Sequence, residues 1–183
     1  MIKLYFLIYF TLCLLAGSPY AQSPSLNWVT NIGSTDNDEG YSIAIDDSSN
    51  VYTLGLFSGA VDFDPSTDKS FILTSNGVGN SDIFITKYNS LGELKWAKRI
   101  GNSSENEIGR SIALDASNNI CITGNFEGLV DFNPGTGSNI FNLTSFGGAD
   151  IFVLKLDNAG QFLWAKQMGG LGDDFGYSID VNS

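Results

Sequence analysis

The chain has 183 residues, carries 20 acidic against 9 basic side chains for a net charge of −11, and contains no histidine. Without histidine it offers no Ser–His–Asp or Cys–His catalytic set, no imidazole metal ligand and no imidazole general base. Its acidic balance repels nucleic acid and anionic lipid.

The chain begins with Lys3 and an apolar run at 4–16, LYFLIYFTLCLLA, after which the sequence turns polar. The run is too short to span a bilayer and no stop-transfer pattern follows, so residues 1–21 read as a secretory signal cleaved after Ala21. Leu12 stands where a lipoprotein site needs a small residue before Cys13, so no lipid anchor is expected. The expected location is secreted or cell-surface, with no stable membrane insertion after cleavage. The mature part, 22–183, loses Lys3, leaving eight basic against twenty acidic residues and a charge of −12. It keeps one cysteine, Cys121, so no intramolecular disulfide is expected; on a strand this thiol reads as buried and inert.

Trp28, Trp96 and Trp164 recur every 68 residues and open the phrases WVTNIG, WAKRIG and WAKQMG. A fixed period of self-similar sequence marks a repeat architecture. The units are 28–95 and 96–163, with the start of a third at 164–183. Residues 25–33 read as a fourth strand whose first three are missing. YSIAID at 41–46 alternates large Tyr41, Ile43 and Ile45 with small Ser42 and Ala44, a period-2 strand whose small face suits the crowded axis of a propeller. DSSN at 47–50 is a turn into VYTLGLF, where Gly55 predicts a bulge or a close neighbouring backbone. Residues 58–81 hold VDFDP and FILTSNG, an extra hairpin. DIFITKY is the third strand, NSLG a turn ending in Gly92, and ELKWAKRI the fourth.

Unit two repeats each element: Ile112 and Leu114 against Ser111 and Ala113, the ASNN turn, Gly124, the 127–149 insert, DIFVLKL, DNAG ending in Gly160, and QFLWAKQM. No stretch has helical periodicity. The fold class is all-β: propeller blades of four antiparallel strands, two full repeats plus a stub, an incomplete propeller. Because closed propellers have roughly 4–8 blades, the chain reads as part of a longer protein. Loose edge strands would make it poorly behaved alone.

DNDEGYSIAIDDSSNVYTLG (36–55) and MGGLGDDFGYSIDV (168–181) resemble the bacterial SBBP repeat family of seven-bladed β-propellers. With VDFDP and DIF-x-x-K, the chain is similar to the long-repeat members found in secreted surface proteins of type IX-secreting bacteria. The resemblance covers nearly all of 28–183, implies the propeller fold and carries no catalytic residues. The turn and tryptophan of LDNAGQFLW also resemble quinoprotein propellers, whose shorter repeats lack the VDF-D/N-P stretch.

The remaining candidate chemistry is acidic. Loops before each first strand hold Asp36-Asn37-Asp38, Glu105-Asn106-Glu107 and Asp173-Asp174, with Asp38, Glu107 and Asp174 each two residues before a glycine. Asp62 and Asp64 beside Pro65 recur as Asp131 and Asn133 beside Pro134. Oxygen ligands alone suit calcium, the one cofactor such sets would take. The competing reading makes the same carboxylates caps on backbone amides, with Phe63 and Phe132 in the core. Asp82 and Asp150, with Lys87 and Lys155 following, recur in both units, which argues for structure over a glycosidase pair. The tryptophans are expected to pack between blades instead of stacking on sugars. The functional expectation is a non-enzymatic binding or adhesion scaffold for an extracellular protein or glycan. The alternative is the propeller portion of a carbohydrate-active hydrolase or lyase whose active site lies outside this segment.

Overall fold

The computed structural model describes residues 26–76, 79–101, 107–135 and 139–182; the signal segment 1–21, and Glu105 and Asn106 of the second acidic loop, lie outside them. Twelve strands and no helix are formed among the described residues. In the first blade β1 (Glu39–Ile45), β2 (Val51–Ser58), β5 (Ser81–Tyr88) and β6 (Leu94–Ile100) form an antiparallel sheet in the order β1-β2-β5-β6. The second blade repeats it with β7 (Ile108–Leu114), β8 (Ile120–Phe126), β11 (Asp150–Leu156) and β12 (Phe162–Met168). The expected extra hairpins are present as two-stranded ribbons, β3 (Ala60–Asp62) with β4 (Ile72–Thr74), and β9 (Leu129–Asp131) with β10 (Asn142–Thr144).

The strands end where an acceptor side chain can fold the backbone on itself. Asp46 Oδ1 accepts from the amides of Ser48 and Asn50, and Asp115 Oδ1 from those of Ser117 and Asn119. These bonds hold Ser49 and Asn118 at φ 60° and 59°, the left-handed region that short polar side chains tolerate. Between β5 and β6, Asn89 Oδ1 takes the amides of Leu91 and Glu93, and Gly92 turns the chain at φ 79°. Asp157 and Gly160 repeat that turn between β11 and β12.

Gly55 and Gly124 sit opposite β-bulges, at Gly40/Ser42 and Gly109/Ser111. A Cβ at either would collide with a backbone carbonyl, that of Glu39 or of Ile108, so the position is closed to every other residue type.

Each blade packs its ribbon through three phenylalanines. Phe57, Phe63 and Phe84 meet at centroid distances of 5.4, 5.2 and 6.5 Å; Phe126, Phe132 and Phe152 meet at 5.1, 4.9 and 6.5 Å. Burying one such ring contributes about 1.5–3 kcal/mol. A second contact joins the blades: Tyr52, Leu54, Ile83 and Ile85 of the first pack with Ile112, Ile120 and Ile122 of the second in one continuous core.

The first strands correct one expectation. The crowding expected at an axis comes instead from the following blade: Ser42 Oγ accepts from the amide of Ile112 at 3.3 Å, and Ala44 packs on the shared core. The small side chains are needed because β7 runs directly across them. The large face of β1 points the other way and is exposed at Tyr41, Ile43 and Ile45.

Candidate functional site

Asp38 lies two residues before Gly40, on the loop that enters β1. Its Oδ2 accepts from the Ser34 amide and hydroxyl, and its Oδ1 from the Ser58 amide at 3.2 Å, tying the loop to the end of β2. Asp174 repeats part of this role, its Oδ2 taking the Gly170 amide at 2.9 Å. Asp173 Oδ1 takes the Ala149 amide at 3.0 Å. Glu107 is fully buried at the head of β7.

The second acidic set folds its own loop. Asp62 Oδ1 accepts from the amides of Asp64 and Phe71 at 3.0 and 2.8 Å, and Asp64 Oδ1 from that of Ser66. Those backbone bonds hold the Asp62 carboxyl below its ordinary pKa. Asp131 makes the same pair of bonds, to Asn133 and Phe141 at 2.9 and 2.8 Å, and Asn133 takes the Gly135 amide. Phe63 and Phe132, between these acceptors, are fully buried. Asp38, Asp62, Asp64, Asp131 and Asp174 thus accept from backbone amides, and no group of three acidic or thiol side chains converges among the described residues.

Asp82 and Asp150 are fully buried, each with Oδ2 bonded and Oδ1 without a hydrogen-bond partner. Asp82 Oδ2 takes the Asn76 amide and the Arg99 guanidinium at 2.9 and 2.8 Å. Asp150 Oδ2 takes the Phe146 amide and the Gln167 side-chain amide at 3.1 and 3.2 Å. Burial pushes the Asp82 carboxyl above its ordinary pKa, against the pull of the Asn76 amide and Arg99. A Cβ at Gly101 or Gly169 would enter the carboxyl groups of Asp82 and Asp150. The recurrent lysines go elsewhere: Lys155 Nζ lies 2.7 Å from Asp115 and Lys87 Nζ 3.9 Å from Asp46. An offset of five residues along a strand puts Lys87 and Lys155 on the face opposite Asp82 and Asp150.

Asp46 and Asp115, the anchors of the turns after the first strands, were not among the candidate residues read from the sequence. The Lys155 bond, with those from Asn119 and Ser117, holds the Asp115 carboxyl far below the usual carboxylate range. At Asp46 burial acts upward, but the bonds from Asn50, Tyr52 and Ser48 outweigh it and the pKa is lowered. The aspartate before each D/A-S-S/N-N turn was the signal available.

Trp96 and Trp28 each cover a hairpin turn, whereas Trp164 is 40% exposed. Trp96 on β6 donates from Nε1 to the Asn158 carbonyl at 3.3 Å and lies against Gly160. Trp28 lies on the matching Gly92 turn, 6.2 Å from the Tyr88 ring. Each ring closes over the hairpin turn of the blade that follows it. Cys121 is a buried free thiol whose pKa burial raises.

This arrangement repeats blade by blade: a first-strand turn anchored by aspartate, a ribbon closed by an Asp–Phe pair, and a tryptophan on the next blade's glycine turn. An uncharacterized WD repeat-containing protein of Acanthamoeba polyphaga mimivirus, L264, is 29% identical over 144 residues, which cover 72% of this chain. The chain spans 10% of that relative's length. Residues 27–56, from the first tryptophan segment through β1 into β2, match the SBBP family, a beta-propeller repeat. The two sheets are therefore propeller blades, the first of them in a stretch that matches an SBBP beta-propeller repeat.

Proposed function

We propose that the chain is a propeller scaffold that acts outside the cell, secreted or surface-exposed, and binds an extracellular protein or glycan without transforming it. The observation that carries this reading is recurrence. Asp62 and Asp131, Asp82 and Asp150, Asp46 and Asp115, and Trp28 and Trp96 serve the same local purpose in successive blades. A reaction centre needs a set of groups converging on one substrate atom, whereas these are distributed one set per blade. The apolar run at 4–16 and the charge of −12 after removal of residues 1–21 support an exported, soluble surface.

The test is to produce residues 1–183 in a secreting host, sequence the exported N-terminus, and probe arrays of glycans and of extracellular matrix proteins with it. The expected result is a new N-terminus at Gln22 and saturable binding to one class of array member with no change in that molecule. Retention in the cytoplasm, absence of saturable binding, or cleavage of a bound glycan would each overturn the reading.

A further inference from the structure

The aspartate caps and buried carboxylates recur blade by blade, but one charged set does not. A cavity of about 450 Å³ lies between the loop that closes the β3–β4 ribbon and the β5–β6 turn. Its charged lining is Asp64, Asp68, Lys69, Glu93 and Lys95. In blade 2 the matching phrases place Asn133 at the position of Asp64, Gln161 at that of Glu93 and Leu163 at that of Lys95. The stretch 135–140, which answers Asp68 and Lys69, contains no charged residue. Every charge of this cavity belongs to blade 1 alone, so the scaffold of a blade does not require them.

Both walls are held in place by backbone bonds. Asp62 Oδ1 and Asp64 Oδ1 fix the ribbon loop through the amides of Asp64, Phe71 and Ser66. Asn89 Oδ1 fixes the turn through the amides of Leu91 and Glu93, and Trp28 rests against its Gly92. A preformed concavity with a few placed polar groups is the usual form of a small-molecule site, and about 300–1,000 Å³ its usual size. Glu93 Oε2 accepts from Lys95 Nζ at 3.0 Å and from Asn89 Nδ2 at 2.8 Å. These bonds hold the Glu93 carboxyl below its ordinary pKa, so it is an ionised acceptor at neutral pH. The Ser66 hydroxyl, also in the lining, is buried without a hydrogen-bond partner, which a polar group of a ligand would relieve.

We propose that this cavity binds the end of a neutral glycan through its sugar hydroxyls. The proposal rests on the reading of the chain as a binding scaffold and assigns that scaffold a ligand class and a site. Three carboxylates turn away an anionic ligand, and two ammonium groups turn away a lone cation. A sugar hydroxyl is donor and acceptor at once, so it can donate to a carboxylate while accepting from an ammonium beside it. Glu93 and Lys95 offer such a pair, and adjacent hydroxyls on one ring can take one member each, as charge-assisted hydrogen bonds. Leu91 and Leu94 complete the lining with apolar contact for the C–H face of the ring.

The experiment is a binding titration of the protein produced from residues 1–183 on immobilised neutral oligosaccharides ending in a hexose or an N-acetylhexosamine. Sialylated and sulfated oligosaccharides, and extracellular matrix proteins, are the parallel arms. Saturable binding to a neutral oligosaccharide is expected, with none to the anionic arm. Asp64→Asn, Glu93→Gln and Lys95→Leu install the residues that blade 2 carries, and Asn133 makes the loop bond that Asp64 makes, to the Gly135 amide. The triple variant, verified as folded by circular dichroism, should bind at least about tenfold more weakly, the factor for one hydrogen bond to a charged group. Glu93→Gln alone serves, with the same direction, if the triple variant does not fold. Binding to the anionic arm in place of the neutral one, or neutral binding that these variants leave unchanged, would overturn the proposal. Binding to matrix protein with none to any glycan would overturn it and leave the scaffold reading standing. Binding to no arm would bring down the scaffold reading itself, and this site with it.

Discussion

In blade 1 the β2 residues that face the next blade are Tyr52, Leu54 and Leu56; in blade 2 the same positions hold Cys121, Thr123 and Asn125. Blade 1 meets Ile112 there, and the core runs on through the contact. Blade 2 meets residues 175–179, and Arg110 mediates, donating to Asn125 Oδ1 at 3.0 Å under the rings of Phe175 and Tyr177. The exchange of Tyr52 for Cys121 reaches one strand further. In blade 1 the Tyr52 hydroxyl donates to Asp46 at 3.1 Å and its ring carries Lys87 at 4.9 Å, so the ion pair stays at 3.9 Å. Without that ring, Lys155 closes directly on Asp115 at 2.7 Å. The parts a blade needs for itself, its aromatic triad, glycine turns and aspartate caps, are the same in both. What varies is what each blade presents to its neighbour.

The sharpest challenge to that comparison lies in the triads. Phe63→Ala and Phe132→Ala should each cost about 3–5 kcal/mol, the range for emptying a buried aromatic site, read from urea unfolding. A markedly smaller loss for one would show that the two blades are not built alike. Next comes the buried carboxylate. Arg99→Gln copies blade 2 into blade 1 and should cost about 1.5–3 kcal/mol, the range for a hydrogen bond to a charged group; a cost near zero would make Gln167 the full equal of Arg99. Because the folded pKa of Asp82 lies above its unfolded value, the folded protein keeps a proton in that window that the unfolded chain releases. Its contribution to stability is therefore present below the unfolded pKa and is lost as pH rises through the folded one. Denaturant midpoints against pH should show this loss, and Asp82→Asn should remove it.

Asp115 has the opposite sign. Its folded pKa is depressed, so its stabilisation is present above the unfolded pKa and disappears as pH falls toward the folded one. Asp115→Asn should flatten that acid limb at a cost below about 1 kcal/mol, as expected for a partly exposed pair. Lys155→Met should flatten it more than Lys87→Met does, and equal effects would remove the distinction between the two ion pairs. The smallest expected effect concerns calcium. Asp62→Asn and Asp131→Asn should lower the melting temperature by the same amount in millimolar calcium and in chelator. A wild-type shift with calcium that these variants abolish would make the ribbon acids ligands after all.

Much of a single blade was legible in the sequence because local chemistry decides it. The alternation of YSIAID, the Asn89–Gly92 and Asp157–Gly160 turns and the VDFDP ribbon each follow from residues a few positions apart. The relation between blades was not. Whether Ser42 faces an axis or another strand depends on which sheet lies alongside, and period-2 alternation only says that two faces differ. The side-chain partners of Asp82 and Asp150 come from the neighbouring strand, 17 residues on at Arg99 and Gln167, so finding them required the registers of β5 on β6 and of β11 on β12. The anchoring role of Asp46 was hidden for a simpler reason. It sits inside the apolar strand phrase, one place ahead of the turn residues that drew notice.

The tryptophan contact also sets an order of events while the protein is being made. Trp96 rests on a carbonyl 62 residues further along the chain, and Trp28 on the turn at Gly92. A chain emerging N-terminus first, from a ribosome or an export channel, therefore presents each indole well before its resting place exists. Each of these units spends the time of roughly one further repeat with that ring uncovered. A chaperone that recognises exposed aromatic rings would find a fresh binding site on this polypeptide at regular intervals.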